Sequence, residues 1–318
     1  MDNIPVVDFS AMNSLKGTHE DCSSAAIKQL ADEIHQAFST VGFVYLKNHG
    51  ISQGKIDRIF KLCDEFFKLD SAVKQKYARP RSGSGHGWVA FERERVCSDR
   101  PADHKEAFNI TEPQNDLRAW PDDKVTNFQS EIASFFDLCG DLSLRILHVM
   151  AIGLQLEDPG VFTSTHKIMA STKNCTTLRL LHYPGISEDS IIKPGQIRCG
   201  EHTDYGSITL LFQDDMPGLE VLPLGCTEYI PAPPIPGAIV VNVADLMQRW
   251  TADLLKSTRH RVSVPPEECH RRVPRRSLAF FVHPEDDTVI KCLDGSEKYP
   301  PITAYDYLWH RLNATYEY

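Results

Sequence analysis

The sequence predicts a mainly β protein with flanking α-helices, folded as one jelly-roll core that is wrapped by helices. Hydrophobic residues make up 42% of the chain, which is enough for a substantial buried core. The first half of the chain carries apolar residues at helical spacing. After Pro159, short β-type segments recur about every dozen residues between Pro and Gly turns, as in antiparallel sandwiches and barrels. These segments are 176–183, 202–212, 219–222, 238–243, 258–264 and 277–282.

Taken in order, the chain opens with a short apolar segment at 4–9, which predicts a strand. Apolar residues at helical spacing then predict a helix that begins near 24, with Ser23 or Ser24 as its N-cap. Two further strands are predicted at 42–46 and 106–110, and further helices at 52–69, 126–153 and 303–312, the last of them capped by Thr303.

Composition argues against several classes of partner and compartment. The formal net charge is −9, whereas a nucleic-acid site needs a concentrated basic face. Nine cysteines occur without a C-x-x-C pair, which is typical of reduced thiols inside a cell. No secretory leader and no 18-residue apolar stretch is visible, so we expect a cytoplasmic protein that does not insert into membranes. The sequence says nothing about oligomeric state.

A candidate metal site lies in the segment that runs from Arg198 to Gln213. Residues two apart on a strand point the same way, so His202 and Asp204 are expected to share one face. With the distant His260, they would form the two-histidine, one-carboxylate triad that holds iron(II) and leaves coordination positions open. An H-x-D pair recurs by chance, however, and a polar pair at a strand edge is the alternative.

Two other strands carry candidate ligand-binding residues. Arg275 and Ser277 share a face, and a guanidinium beside a hydroxyl suits a carboxylate at the floor of a barrel. Alternation likewise places Arg179, Leu181 and Tyr183 on one face of their strand, with His182 on the other. An arginine at the start of a strand, such as Arg275, is nevertheless more often a surface residue.

Two aromatic residues, Trp88 and Phe108, are candidates to line a substrate cavity. Ordinary core packing is the alternative for both of them.

These motifs together resemble the isopenicillin N synthase-like branch of the iron(II)/2-oxoglutarate dioxygenases. The resemblance rests on H-T-D-Y-G-S-I-T-L-L-F-Q, on N-V-A-D-L-M-Q-R-W-T followed by S-T-R-H-R-V, and on R-R-S-L-A-F-F. The opening segments I-P-V-V-D-F and G-F-V-Y-L-K-N-H-G-I are similar to the N-terminal module of the same family. The likeness extends from about residue 4 to residue 312.

The resemblance implies a double-stranded β-helix that holds Fe(II) through His202, Asp204 and His260. It also implies that 2-oxoglutarate is the co-substrate, with its far carboxylate on Arg275 and Ser277 and with Tyr183 assisting. Such an enzyme consumes O2, releases succinate and CO2, and oxidises a C–H bond of a small organic substrate, most often by hydroxylation. The whole chain, 1–318, would be one catalytic domain, and its parts would be an N-terminal module at 1–110, a jelly-roll core at 170–285 and a C-terminal helix at 300–313.

The resemblance leaves the substrate and two rival functions open. Arg179 stands where relatives often contact their main substrate, which favours an anionic compound, and an internal ion pair with a glutamate is the alternative. Plant members usually have an asparagine where this chain has Leu181, and relatives commonly have an aromatic residue at the position of Arg276. The rivals are an oxidase of the same family that uses no 2-oxoglutarate and a non-catalytic metal- or ligand-binding module on the same barrel.

Overall fold

A computed structural model describes residues 3–13, 25–80, 85–95, 100–187 and 192–315 of the chain. The predicted N-cap at Ser23 or Ser24 lies outside these residues. Within them, fourteen strands form three sheets. The strands are β1 Val6–Asp8, β2 Phe43–Lys47, β3 Gly87–Val89, β4 Glu106–Ile110, β5 Thr177–Tyr183, β6 Cys199–His202, β7 Ile208–Gln213, β8 Leu219–Val221, β9 Ile230–Pro231, β10 Ala238–Val243, β11 His260–Val262, β12 Arg275–Val282, β13 Val289–Ile290 and β14 Ile302–Thr303.

Two of the sheets face each other and enclose a cavity. The large sheet has eight strands in the order β1-β2-β10-β7-β12-β5-β4-β3, and the small sheet has four in the order β6-β11-β8-β9. Residues of both sheets join in one buried cluster and line one cavity. All pairings within these two sheets are antiparallel except that of β1 with β2. The predicted mainly β jelly roll is therefore confirmed.

Alternation along the central strands separates the cavity from a second core. On β5, Leu178 and Leu180 are fully buried on the outer side of the large sheet. Leu181 and Tyr183 point to the other side, into the cavity. The period of two along a strand thus gives the large sheet an apolar face for helices and a mixed face for ligands.

Helices cover the outer face of the large sheet. The described helices are α1 Ala25–Thr40, α2 Gln53–Phe67, α3 Ser71–Lys74, α4 Phe128–Gly153, α5 Asp245–Trp250, α6 Glu268–Arg271 and α7 Ala304–Thr315. The 26 residues of α4 span about 39 Å, so this helix braces the whole sheet. Its fully buried residues, Phe135 among them, pack with those of α1 and α2, and each large apolar side chain buried there contributes about 2 kcal/mol.

Most predicted boundaries agree with the structure to within two or three residues. Ser52 caps α2, because its hydroxyl accepts a hydrogen bond from Lys55 N at 3.3 Å. Thr303 caps α7 in the same way, with Asp306 N donating to its hydroxyl at 3.1 Å. The strand predicted at 202–212 is wrong, since the structure divides it into β6 and β7, which are joined by a turn.

Candidate metal centre and its cavity

Three potential metal ligands meet at one end of the facing sheets. His202 is the last residue of β6 and His260 the first of β11, and the antiparallel register sets them directly opposite each other. Each imidazole Nε2 lies 3.8 Å from Asp204 Oδ1. Among the described residues, this is the group of three or more potential ligands whose donor atoms lie within 4.8 Å of one another. One divalent ion could therefore contact all three side chains.

Hydrogen bonds to the backbone orient both imidazoles. His202 Nδ1 donates to Gly200 O at 2.8 Å, and His260 Nδ1 donates to Thr258 O at 3.1 Å. Because each Nδ1 carries the proton, the Nε2 lone pair of each ring faces the centre, as in protein metal sites.

The carboxylate is oriented by side chains of the large sheet. Asp204 Oδ2 accepts hydrogen bonds from Thr209 Oγ1 at 2.7 Å on β7 and from Asn242 Nδ2 at 2.8 Å on β10. Its other oxygen, Oδ1, is the one that faces the two imidazoles. One oxygen is thus held by the scaffold, and the other can serve a metal ion.

The protonation states of these groups suit a divalent cation. Burial and the nearby imidazole of His260 lower the pKa of His202, so this ring is neutral at neutral pH. Burial disfavours the charged form of Asp204, but the two imidazoles and the two donors outweigh it and lower its pKa. The centre therefore offers the lone pair of the neutral His202 ring and the negative charge of Asp204 to a cation.

The route by which His202 and Asp204 come together differs from the predicted shared strand. Asp204 lies in the turn between β6 and β7, and its carbonyl accepts a hydrogen bond from Asp245 N at 2.8 Å at the start of α5. The turn also presses against β12, because a Cβ added at Gly206 would lie 2.3 Å from Val282 O. These long-range contacts end the strand at His202 and turn the carboxylate toward the imidazoles.

The predicted co-substrate residues lie deeper in the same cavity. Arg275 is only 1% exposed, and its guanidinium contacts Gln213 Oε1 at 2.8 Å, Met216 O at 3.3 Å and Ser277 Oγ at 3.5 Å. Its charge lies 5.2 Å from the centre of the Tyr183 ring. No carboxylate in the described ranges forms an ion pair with Arg275, so its positive charge is not neutralised by the protein.

A second buried arginine, which the sequence analysis did not single out, stands beside the first. Arg198 has no exposed surface and donates to Pro217 O at 3.5 Å and to Val273 O at 3.3 Å. Burial and the charge of Arg275 lower its pKa to about 10. Arg198 does not itself line the cavity, but its positive charge lies close enough to Arg275 for the two guanidinium groups to interact.

The charge of Arg179, by contrast, is matched within the cavity wall. Arg179 lines the cavity as predicted, and its guanidinium pairs with the buried carboxylate of Glu94, which is the alternative expected from the sequence. Lys105 Nζ lies 3.7 Å from Glu94 Oε2 and 2.7 Å from Asp103 Oδ2. The positive side chains of Arg179 and Lys105 thus alternate with the carboxylates of Glu94 and Asp103. Burial opposes ionisation of Glu94, but Arg179 and Lys105 outweigh it and lower its pKa.

Asn109 is a polar residue of the cavity wall that the sequence analysis missed. It pairs with Arg179 across β4 and β5 and is 7% exposed. Its Oδ1 is buried and has no hydrogen-bond partner among the described residues. Because an unpaired buried acceptor is costly, Asn109 is positioned to accept a hydrogen bond from a ligand.

The structure does not bring Trp88 and Phe108 to the cavity. Both belong to the buried cluster beneath the helices, where Phe108 is fully buried and Trp88 Nε1 donates to Glu106 Oε2 at 2.8 Å. Phe108 follows Ala107 and precedes Asn109, which point to the opposite side of β4. The alternative of core packing is correct for both aromatic residues.

The C-terminal helix completes the cavity, which has a volume of about 440 Å³. Four residues of α7 line it at helical spacing: Tyr305, Leu308, Trp309 and Leu312. An ion pair of 2.8 Å between Arg311 and Asp245 fastens α7 next to the turn that carries Asp204. Space of this size accommodates a small organic molecule together with a small co-substrate.

No helix in the described part of the chain is long and apolar enough to cross a lipid bilayer.

Comparisons with known proteins agree on one family. Residues 4–131 match a family profile described as the N-terminal part of a non-haem dioxygenase in morphine synthesis, and residues 174–284 match the 2OG-Fe(II) oxygenase superfamily. A proline hydroxylase of Petromyces alliaceus is 33% identical, over 89% of this chain and 92% of the relative. A 2-oxoglutarate-dependent dioxygenase of Aspergillus rugulosus is 31% identical, over 98% and 99% of the two chains.

Solved structures agree with the sequence relatives. A full-length protein of Neurospora crassa, crystallised with α-ketoglutarate and thymine, has a TM-score of 0.86 and 34% identity over 98% of this chain and 97% of that one. A protein of Caulobacter crescentus that is described as a member of the 2OG-Fe(II) oxygenase family has a TM-score of 0.80 and 29% identity, over 99% of both chains.

Proposed function

The chain belongs to the 2OG-Fe(II) oxygenase superfamily and is a 2-oxoglutarate-dependent dioxygenase that uses Fe(II) and O2, and we propose that it hydroxylates a small, polar organic compound with release of succinate and CO2. The family assignment sets aside a non-catalytic binding module. The observation that supports the proposal is that three features line one cavity. They are the centre formed by His202, Asp204 and His260, the guanidinium of Arg275, which has no carboxylate partner among the described residues, and the polar wall that contains Arg179 and Asn109.

In this proposal, His202, Asp204 and His260 hold the iron. Two imidazole nitrogens and one carboxylate oxygen would hold the ion from one side and leave its other positions to exchangeable ligands. Bound Fe(II) supplies the activation of O2, which no side chain of this chain could provide. The protein orients the three ligands, shields the centre from water and determines what can approach it.

The floor of the cavity binds the far carboxylate of 2-oxoglutarate. Arg275 offers a guanidinium without a carboxylate partner, and Ser277 offers a hydroxyl on the same strand face. Burial raises the pKa of the Tyr183 phenol, so its hydroxyl remains protonated and can donate a hydrogen bond. A charge-assisted, two-pronged contact of this kind at depth fixes the co-substrate in one orientation.

The polar wall favours a substrate that is neutral or carries both hydrogen-bond donors and acceptors. Glu94 already neutralises Arg179, so the anionic substrate expected from the sequence gains little there. Arg179 can still donate and Asn109 Oδ1 can still accept, side by side on β5 and β4. The Neurospora crassa structures contain thymine and 5-formyluracil, and the Petromyces alliaceus relative is called a proline hydroxylase, so pyrimidines and proline are the first compounds to test.

The test is a coupled turnover assay with labelled 2-oxoglutarate. Fe(II)-loaded protein is incubated with thymine, uracil derivatives, proline and other small neutral compounds, and succinate, labelled CO2 and product mass are followed. We expect one class of compound to raise succinate release above the substrate-free rate and to gain one oxygen atom. Turnover should disappear in His202→Ala and persist in His270→Ala, which alters a partly exposed histidine of α6 that does not line the cavity.

Two results would contradict the proposal. One is oxidation of a compound without any consumption of 2-oxoglutarate, which would identify the rival oxidase. The other is undiminished turnover in His202→Ala, which would show that the iron is held elsewhere.

A further inference from the structure

Two buried reactive side chains meet in the polar wall of the cavity. Lys105 Nζ lies 3.2 Å from Cys199 Sγ, and the two residues are only 4% and 6% exposed. Lys105 immediately precedes β4, and Cys199 begins β6, so the contact joins the large sheet to the small one. Both residues line the cavity that contains the candidate metal centre.

We propose that Lys105 and Cys199 form a reversible covalent bridge in which one oxygen atom links the lysine nitrogen to the cysteine sulfur. The geometry carries this inference, because an amine and a thiol at hydrogen-bond distance need only a small side-chain adjustment to be joined through a single atom. O2, the co-substrate of this enzyme class, is the oxidant.

The neighbouring carboxylate holds the amine in place. Asp103 Oδ2 accepts a hydrogen bond from Lys105 Nζ at 2.7 Å, and Asp103 Oδ1 is fixed by Gly200 N at 2.9 Å. Gly200 follows Cys199 directly, so the backbone that carries the thiol also fixes the carboxylate that holds the amine. Neither reactive atom can therefore move far from the other without breaking this network.

The reaction balances with O2 alone. The thiol loses its S–H proton and the ammonium group loses two N–H protons, while S–O and N–O bonds form. These changes release four electrons, which reduce O2, so that one oxygen atom enters the bridge and the other leaves as water. The products are the bridge, one water molecule and one proton, and Asp103 is the nearest group to take up the proton.

The chemical environment makes this reaction slow and selective. Burial raises the pKa of the Cys199 thiol to about 11, so it is not the exposed thiolate that peroxides usually oxidise. Bridge formation should therefore proceed over prolonged exposure to air when no substrate fills the cavity. Reduction by an added thiol should restore the two side chains.

The bridge would change the cavity wall that the proposed substrate contacts. It removes the positive charge of Lys105 from between Glu94 and Asp103 and leaves two carboxylates with the single cation of Arg179. An uncompensated buried carboxylate is costly, so we expect weaker substrate binding in the bridged form. This consequence rests on the proposed function, whereas the bridge itself does not.

The chain provides a matched control for the cysteine. Cys175 also lines the cavity, but its thiol contacts Asp286 at 3.4 Å and makes no hydrogen bond to a lysine of the described residues. Burial raises the pKa of Cys175 to about 12, so neither thiol ionises readily, although Cys175 is only partly buried and has no hydrogen-bonded amine in the described ranges. Oxidation that requires only a cavity thiol should affect both, and a bridge should affect Cys199 alone.

The experiment is a peptide map of the Fe(II)-loaded protein after incubation with 2-oxoglutarate in air enriched in heavy oxygen gas, without prime substrate. We expect a cross-linked peptide pair that contains Lys105 and Cys199, heavier by one labelled oxygen atom and lighter by two hydrogen atoms. Dithiothreitol should convert it to the two unmodified peptides. The signal should be absent without O2, absent in Cys199→Ser and in Lys105→Arg, and present in Cys175→Ser.

Three outcomes would overturn the bridge. The first is a Cys199 that remains fully alkylatable after long exposure to air. The second is a gain of oxygen on Cys199 without a cross-link, which indicates a sulfenic or sulfinic acid. The third is a cross-link that has lost two hydrogen atoms and gained no oxygen, which indicates a direct S–N bond. Because all are read by mass in the wild-type protein, they stand whether or not the variants fold and whether or not the prime substrate is correct.

Discussion

The substitution Thr209→Val tests whether the scaffold orients Asp204 for a metal ion. Valine keeps the shape of the side chain and removes the hydroxyl that donates to Asp204 Oδ2 at 2.7 Å. A hydrogen bond to a charged group contributes about 1.5–3 kcal/mol, and loss of a group that orients a metal ligand weakens metal binding about 10–100-fold. Asn242 still donates to the same oxygen at 2.8 Å, so we expect the lower end, about tenfold, from this change alone.

The assay is an anaerobic titration of metal-free protein with Fe(II), in which calorimetry measures the binding affinity. Thr251→Val is the matched control, because Thr251 is also a buried threonine, and its hydroxyl donates to Met247 O at 2.9 Å, away from the cavity. Both variants should unfold at lower temperature than the wild type, and only Thr209→Val should bind Fe(II) more weakly. Equal Fe(II) affinity in the two variants would refute the role of Asp204 as an oriented ligand.

Four further substitutions test other parts of the molecule. Arg275→Gln should weaken 2-oxoglutarate binding about 100-fold in calorimetry, since two charge-assisted hydrogen bonds are lost. Arg179→Ala should weaken binding of the prime substrate and leave 2-oxoglutarate affinity unchanged. Equal loss of both affinities in Arg179→Ala would show that this residue is structural. Asn109→Leu should raise the melting temperature, because it removes a buried acceptor that lacks a partner among the described residues. The same substitution should raise the KM for the prime substrate about fivefold. A lower melting temperature with an unchanged KM would contradict this prediction. Burial lowers the pKa of His86 to about 4, so the neutral ring stabilises the fold fully above pH 6.5, and this contribution is lost as the pH falls toward 4. Denaturant titrations at pH 7 and pH 5 should therefore show a loss in unfolding free energy that is about 2 kcal/mol smaller in His86→Phe than in the wild type.

Features that depend on local periodicity were predictable from the sequence. The strand period of two correctly assigned Arg179 and Tyr183 to one face of β5, and Arg275 and Ser277 to one face of β12. The same period does not say which of the two faces meets a ligand. For β4, the aromatic character of Phe108 suggested the wrong face, whereas the unremarked Asn109 is the residue that lines the cavity.

Features that depend on distant partners were not predictable. The end of β6 at His202 is enforced by contacts with α5 and β12, which lie dozens of residues further along the chain. The pairing of Arg179 with Glu94 joins positions 85 residues apart, so the sequence could offer the ion pair only as an alternative. The approach of Lys105 to Cys199 spans 94 residues and follows no motif, and only the meeting of the two sheets brings these groups together.

The direct opposition of His202 and His260 across β6 and β11 links the alignment of the small sheet to the metal. A slip of one residue would turn His260 to the far face, and the pairing is already irregular between His260 and Val262. An ion bound by both imidazoles would therefore stabilise this strand register relative to every shifted one. Saturation with Fe(II) should slow hydrogen exchange of the backbone amides in these two short strands, while an inserted residue anywhere within β11 should abolish both that protection and the catalytic site.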